Sequence, residues 1–557
     1  MATTTDRRGD LTPLRGQHVD TVRLLFVASE IYPLAKTGGL ADVCAALPNA
    51  LAGLGMDVRL LMPAYPGARE LLAAPRAASD LGEVLPGIRA GLVAGRTPDT
   101  GLPIWLVDCP ALFDRPGGPY QDDDGRDWPD NVLRFGLLCH AAALIAMDRA
   151  GLNWRPDIVH ANDWHTGLVP LLLKQGGADR PRTVFTVHNA AFQGNFPIDE
   201  TTARLQLTPE ALGTDGIEFY GQMSFLKAGI RYADRVSTVS PTHARELLTP
   251  GLGFGMEGLF QARGNDFLGI MNGIDVGLWN PATDTHLTAC YTREQGHGKI
   301  VCKATLQHQC GLNVDAQAPL VAYISRLTHQ KMADVVLKHL PSLMDRHPRL
   351  QFVLHGRGEL TLEEGFMQLA HRYPGRMSVR IGYEEAQAHH LHAAADILLH
   401  GSRFEPCGLT QLYAMRYGTI PVVSRVGGLA DSVVDSGSPG NHIRKATGFV
   451  FDEASGDAME TTLDRCLETY EKRPRTWTAL RIRAMDEDFS WALSARKYAR
   501  LYNGLTGASI AVQTALVAAE ATEGRSTAVL RTLRATASRG VSAKSRPALE
   551  VDATQAA

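Results

Sequence analysis

Short apolar runs separated by helical patterns recur along almost the whole chain, and no other feature restricts its fold as much. The first is Val22-Arg23-Leu24-Leu25-Phe26-Val27-Ala28, and candidate strands follow at 57–62 (DVRLLM), 103–108 (PIWLVD), 157–161 (DIVHA), 182–187 (RTVFTV) and 235–239 (RVSTV). After residue 315 the pattern restarts, with 319–324 (PLVAYI), 351–355 (QFVLH), 377–381 (MSVRI), 396–399 (DILL) and 420–423 (IPVV). Continuous apolar strands spaced by helices specify parallel sheets covered on both faces. Two successive series predict an α/β protein of two doubly wound domains. The length, 557 residues, exceeds what one core organises and agrees with that reading.

Composition removes several classes of function. A formal net charge of −3 gives no footing for nucleic acid or an anionic membrane. No apolar run approaches the ~18–20 residues that cross a bilayer. The first twenty residues carry Asp6, Asp10 and Asp20 and no apolar stretch, so a disordered leader (1–21) is expected rather than a signal or transit peptide. Eight cysteines, at 44, 109, 139, 290, 302, 310, 407 and 466, include no C-x-x-C pair, which argues against a zinc site or a disulfide framework and fits a cytoplasmic protein. Residues 503–557 hold no aromatic residue and read as a disordered tail.

The chemistry concentrates where strands end. Lys36-Thr37-Gly38-Gly39-Leu40-Ala41-Asp42-Val43 follows the first strand and opens a helix, a junction whose N–H groups favour an anion. Four loops of the second series repeat the theme. Arg326 and Lys331 lie in SRLTHQK, and two cations five residues apart can grip one diphosphate. His355-Gly356-Arg357-Gly358 permits close backbone approach. Ser402-Arg403-Phe404-Glu405-Pro406-Cys407-Gly408-Leu409 precedes a helix, where the Glu405 carboxylate is either a helix-end charge or an acceptor for sugar hydroxyls. Gly427-Gly428-Leu429-Ala430-Asp431 opens another helix. In open α/β sheets ligands bind at this edge, and four such loops together describe a phosphate or nucleotide-sugar site. The first series adds His160-Ala161-Asn162-Asp163-Trp164-His165 and Val187-His188-Asn189-Ala190. His160 and His165 are five apart, a poor spacing for a metal. A G-x-S-x-G elbow, a Walker lysine and a G-x-G-x-x-G fingerprint are all absent from the sequence.

From about residue 22 to 502 the chain resembles the bacterial glycogen synthases and plant starch synthases. The blocks that carry the resemblance are KTGGLADV, DRPGGPYQDDDGRDWPDNVLRF, HANDWHTG, VFTVHNAAFQG, SFLKAG, TVSPTHARE, GMEGL, NGID, SRLTHQK, SRFEPCGLTQLYAMRYGTIPVV, GGLAD and DFSW. The resemblance implies the GT-B arrangement: two Rossmann-like domains, 22–268 on the acceptor side and 269–480 on the donor side, facing across a cleft, with a last helix (481–502) returning to the first. It implies retaining transfer of glucose from ADP-glucose to the non-reducing end of an α-1,4-glucan, without metal or cofactor. Lys36, His188, Arg326, Lys331 and Glu405 then match catalytic positions. Lys36, Arg326 and Lys331 serve the diphosphate, His188 offers its backbone carbonyl beneath the sugar, and Glu405 holds sugar hydroxyls. Gly38, Gly39, Asn272, Gly356, Tyr383, Cys407, Gly408, Leu409, Gly428 and Leu429 match positions around the donor, with the N–H groups near Gly428 and Leu429 expected on the phosphates and Tyr383 either near the adenine or a core tyrosine. Asp163, His165 and Asn189 match the acceptor side of the cleft.

Three positions depart from the family pattern. Met332 stands where glycine is usual, which predicts backbone strain if φ is positive there and crowding of the diphosphate. His400-Gly401 replaces a proline before Ser402, which predicts a looser loop. Ala190 replaces leucine or isoleucine. Other readings are a related transferase using UDP-glucose or glucose 1-phosphate as acceptor, and an inactive glucan-binding protein.

Overall fold

The structure is a computed structural model and describes residues 21–382, 384–437 and 445–507. The expected leader up to residue 20, Tyr383 and the expected tail from residue 508 onward lie outside the described residues, while residues 503–506, read as the start of a disordered tail, are the last turn of the helix Trp491–Thr506.

Two sheets organise the chain. The first comprises β1 (Arg23–Val27), β2 (Asp57–Pro63), β3 (Ala73–Leu85), β4 (Ile88–Arg96), β5 (Pro103–Asp108), β6 (Ile158–Asn162) and β7 (Arg182–Val187). A small antiparallel sheet of β8 (Asn195–Pro197), β9 (Glu218–Phe219) and β10 (Gln222–Ser224) interrupts it before β11 (Arg235–Thr238) and β12 (Phe267–Gly269). The order of the first sheet is β12-β11-β7-β6-β1-β2-β5-β4-β3. The second sheet is β13 (Leu320–Ile324), β14 (Gln351–Gly356), β15 (Met377–Ile381), β16 (Ile397–His400), β17 (Ile420–Ser424) and β18 (Phe449–Phe451), ordered β15-β14-β13-β16-β17-β18 and parallel throughout.

The strands are apolar on both faces because both faces are covered. Val321 and Tyr323 join one buried cluster with Phe352, Leu354, Ile397 and Leu399. Leu320, Ala322 and Val353, on the alternate positions, join a second cluster on the opposite face. Each such side chain contributes roughly 1.5–3 kcal/mol on burial. The hairpin β3–β4 is the large element that hydropathy does not announce. β3 is mostly exposed and its register against β4 shifts four times, so no clean alternation survives in its sequence.

Parallel register sends the chain out of every central strand at the same edge. The loops after β1, β6 and β7 therefore gather at one edge of the first sheet, and those after β13, β14, β16 and β17 at one edge of the second. These two edges meet. Ser240 Oγ donates to the Pro406 carbonyl (2.6 Å), Thr242 donates through N and Oγ1 to Asp431 (2.7 Å each), and Gly427 N–H donates to Glu246 Oε1 (2.8 Å). The helix Trp491–Thr506 packs on Gly39–Gly53, and its Tyr502 hydroxyl meets His160 Nδ1 at 2.7 Å. His160 Nε2 meets Thr186 Oγ1 at 2.6 Å. Burial holds this imidazole neutral, its pKa pushed down to about 3, as a satisfied core group. Among the described residues no helix is long and apolar enough to cross a membrane.

Candidate active site

The first wall of the cleft starts at β1. Ser29 and Glu30 follow the strand directly and are buried. Glu30 accepts from Thr37 N–H and from Thr37 Oγ1 (2.9–3.0 Å), which pins the KTGG loop. Burial raises the Glu30 carboxyl pKa, and the Thr37 bonds oppose that rise. Glu30 escapes a reading of the sequence because its partners are a backbone N–H and a hydroxyl, which leave no charge pattern. Lys36 lies between Asp42 Oδ1 (2.9 Å) and Glu385 Oε2 (3.0 Å), so its ammonium already spans from the first half to the second. Gly38 and Gly39 are exposed. A Cβ on Gly39 would touch Leu409 Cδ1 at 3.4 Å, so Gly39 faces the E-P-C-G loop across the cleft.

The loops after β6 and β7 form the floor. Asp163 has φ 59° and ψ 175°, a conformation nearly reserved for glycine that costs about 1–3 kcal/mol. Its carboxylate accepts from the N–H of Trp164 (3.1 Å) and from those of His188 and Asn189, so the strained residue holds the shape of the His188 loop. Burial pushes its pKa up to about 7, with those N–H donors pulling the other way. His188 Nε2 is 3.1 Å from Asn162 Oδ1, and burial takes its pKa down to about 3, leaving a neutral ring. Asn189 Oδ1 accepts from Ala191 N–H (3.1 Å). His165 is buried among Tyr120 (centroids 4.5 Å apart, stacked), Phe135 and Trp164, inside an aromatic cluster rather than on an open cleft surface. Ala190 is fully buried.

The second wall carries the charge. Lys331 forms an ion pair with Glu405, both well buried. Glu405 Oε2 also accepts from Ser402 Oγ (2.9 Å) and lies 3.4 Å from His400 Nε2, while Oε1 has no partner among the described residues. Burial alone would raise this carboxyl, but Lys331 and then His400 hold it well below the carboxylate range. Arg326, at the end of β13, is exposed and has only Gln330 Oε1 at 3.4 Å, with no carboxylate partner among the described residues. The loops of Lys331 and Glu405 are bolted together: Arg403 N–H donates to the Gln330 carbonyl (2.8 Å) and Gln330 Nε2 to the Phe404 carbonyl (3.1 Å). Gly356 and Gly358 face backbone directly, since a Cβ on either would fall 1.9 Å from Ser325 O or 2.1 Å from Leu327 O. Burial raises the Cys407 thiol to about 12, so it is a packing group, and the buried Asn272 beside it has an unpartnered Oδ1. Gly408 has φ +70° and turns the chain into the helix Thr410–Arg416.

The GGLAD loop corrects an expectation. Gly428 N–H donates to the Glu405 carbonyl (3.1 Å) and Leu429 N–H to the Val426 carbonyl (3.0 Å). Both donors are committed within the second half, and Gly427 N–H is taken by Glu246. The loop therefore braces the E-P-C-G segment instead of offering these N–H groups to phosphate. The departures also resolve. Met332 has φ 57° and ψ 26°, the strained left-handed conformation anticipated for it. Its side chain is fully buried, so it does not crowd the diphosphate region. A Cβ on Gly401 would stand 3.1 Å from Met332 Sδ: the missing side chain at 401 is the space that the methionine fills. The 400–402 loop is not loose, because Ser402 N–H donates to Ser424 Oγ (2.9 Å), which donates back to the Ser402 carbonyl (2.7 Å). Among the described residues no three His, Cys, Asp or Glu side chains gather as a metal site.

Comparison with known proteins identifies the family and the fold. Residues 23–262 match the starch synthase catalytic domain model, and residues 309–479 match that of the glycosyl transferases group 1. A glycogen synthase of Burkholderia thailandensis is 59% identical over 482 residues, 86% of this chain and 90% of its own length. The chain belongs to the glycogen and starch synthase family. A second synthase, from Paramagnetospirillum magneticum, is 48% identical over 87% of this chain and 98% of its own. Among solved structures, the catalytic domain of starch synthase IV from Arabidopsis thaliana, bound to ADP and acarbose, superposes with a TM-score of 0.78 at 31% identity, covering 87% of this chain and all of its own. A sucrose-phosphate synthase from Thermosynechococcus elongatus, 18% identical with a TM-score of 0.54 over 88% of this chain and all of its own, shares the fold. The synthase is thus a GT-B glycosyltransferase, with two Rossmann-like halves facing across a cleft.

Proposed function

We propose that this synthase transfers glucose from ADP-glucose to the non-reducing end of an α-1,4-glucan, with retention of configuration and release of ADP, without a metal or other cofactor. The observation that carries the proposal is the charge layout at the edge of the second sheet. Arg326 has no carboxylate partner among the described residues, and Lys331 uses Glu405 for one of its three donors. Across the cleft, Gly39 of the first half approaches Leu409, four residues after Glu405. A diphosphate set between them gains charge as the C–O bond breaks, and preorganised cations stabilise that charge most when it is fully developed. Lys36 adds a third cation from the first half by exchanging Glu385 for phosphate.

Glu405 acts here as a positioning group. Lys331 neutralises it and Oε2 accepts from Ser402 with His400 beside it, which makes the carboxylate a poor nucleophile, while Oε1 remains to accept from sugar hydroxyls. With no carboxylate assigned to attack from the β face, the acceptor hydroxyl enters on the face the ADP leaves. The phosphate oxygen takes its proton, and the His188 carbonyl supports the oxocarbenium ion from below. Asp163 fixes that carbonyl's loop.

The test is glucose incorporation into glycogen by the purified synthase with ADP-glucose and UDP-glucose in parallel reactions. The expected result is incorporation from ADP-glucose at least tenfold faster. A faster rate from UDP-glucose overturns the donor assignment, and glycogen binding without incorporation from either favours a binding protein.

A further inference from the structure

Large rings stand in water on the first half. Tyr220 is 83% exposed and Phe192 52% exposed. Tyr220 (φ 49°) is at the tip of the tight turn between β9 and β10, and Phe254 (φ 53°) also adopts the left-handed conformation that bulky residues avoid. The rings belong to loops that meet. Phe254 packs edge-on against Phe404 of the second half (centroids 5.2 Å, 72°), and Phe404 is the residue before Glu405. Gln193 Nε2 donates to the Phe254 carbonyl (2.9 Å), which brings in the loop of Phe192. A Cβ on Gly255 would lie 3.3 Å from Phe219 Cζ and 3.6 Å from the Tyr220 hydroxyl. An aromatic rim therefore starts one residue from Glu405 and runs outward along the first half to Tyr220.

We infer that this rim is an outer acceptor subsite, in which Tyr220, Phe254 and Phe192 stack on the glucose units that trail behind the reacting end of the glucan. The inference rests on the function proposed above and names where its acceptor lies. An α-glucan fits the rim chemically. Each glucose has an apolar C–H face that packs on a ring and a polar edge that stays wet. The charges beside the rim offset each other, the Glu218 carboxylate acting on the Lys227 ammonium, whose Nζ donates to the carbonyls of Thr214 (2.8 Å) and Glu218 (2.5 Å). A neutral ligand is thus favoured over a charged one. Phe404 ties the rim to the loop that carries Glu405, so the rim borders the loop at which the reacting end of the chain is placed.

The test compares the full-length synthase with Tyr220→Ala and Tyr220→Trp, using maltotriose and maltoheptaose as acceptors and calorimetry of maltoheptaose binding. In Tyr220→Ala the KM and Kd for maltoheptaose rise roughly five- to tenfold. The KM for maltotriose rises less, that for ADP-glucose stays at the wild-type value, and Tyr220→Trp restores tight binding. Unchanged maltoheptaose affinity in Tyr220→Ala overturns the subsite, as does an equal loss with both acceptors. So does a Tyr220→Ala monomer that binds glucan normally beside a wild-type dimer, which would make the rim a contact between copies. If the wild type transfers nothing from ADP-glucose, the proposed reaction fails, while the calorimetric comparison still decides the rim. Phe192→Ala, at a second exposed ring, repeats the comparison should Tyr220→Ala not fold.

Discussion

Lys331→Ala is expected to lower kcat/KM for ADP-glucose by about 10²–10³, the cost of removing one preorganised charge from a developing anion. The same change is expected to destabilise the fold by about 3–5 kcal/mol, because it leaves Glu405 as a buried charge without its cation. The two effects separate in a double variant. Lys331→Ala/Glu405→Gln removes the stranded charge and recovers most of the stability, measured by urea unfolding, while activity stays lost. The pH dependence has a definite sign. In the wild type the folded-state Glu405 pKa lies below the usual 4.5, so the pair contributes its full stability above that pH and loses it as the pH falls. In Lys331→Ala burial dominates and raises the carboxyl, so the penalty for ionising it grows as the pH rises. The stability gap between the two proteins therefore narrows between pH 7 and pH 5. A constant gap would mean that the stability loss does not come from Glu405.

Met332→Gly is expected to destabilise the synthase by about 1–3 kcal/mol, although glycine suits a φ of 57° better. Relief of the left-handed strain returns about 1–3 kcal/mol. Deleting a fully buried methionine costs about 2–5 kcal/mol, and the cavity term wins. Gly401→Ala alone costs about 1–3 kcal/mol by overpacking against Met332 Sδ, 3.1 Å from the new Cβ. Combined, the two changes cost less than their sum by about 0.5–3 kcal/mol, since the new methyl enters space the methionine vacated. Strict additivity in a urea double-mutant cycle would show that 332 and 401 are not a packing pair. The methionine follows Lys331, and position 401 lies four residues before Glu405, so the pair spaces the two loops that carry the ion pair.

How legible each part was depended on whether its cause is local. β1, β13 and β14 are buried on both faces and read as apolar runs. The hairpin β3–β4 is exposed and bulged and left no period. The basic pair Arg326 and Lys331 and the glycines at 38, 39 and 408 were readable because strand–loop–helix junctions impose those residue types. What was not readable is pairing across the cleft. Glu385 and Lys36 are 349 residues apart, and Glu246 and Gly427 are 181 apart. The second of these contacts, with the internal bonds of the GGLAD loop, takes donors that the family resemblance assigns to phosphate. His400 was visible only as a departure from a proline-containing pattern. Its value, a ring nitrogen 3.4 Å from Glu405, depends on the fold.

The central claim is retaining transfer between a nucleotide sugar and a glucan, and proton NMR of the product formed from ADP-glucose and maltotriose tests it most directly. The account predicts a new α-1,4 anomeric signal on a tetrasaccharide, at its non-reducing end, with one ADP released per linkage. A β-linked product, or ADP released with free glucose and no longer chain, would contradict it.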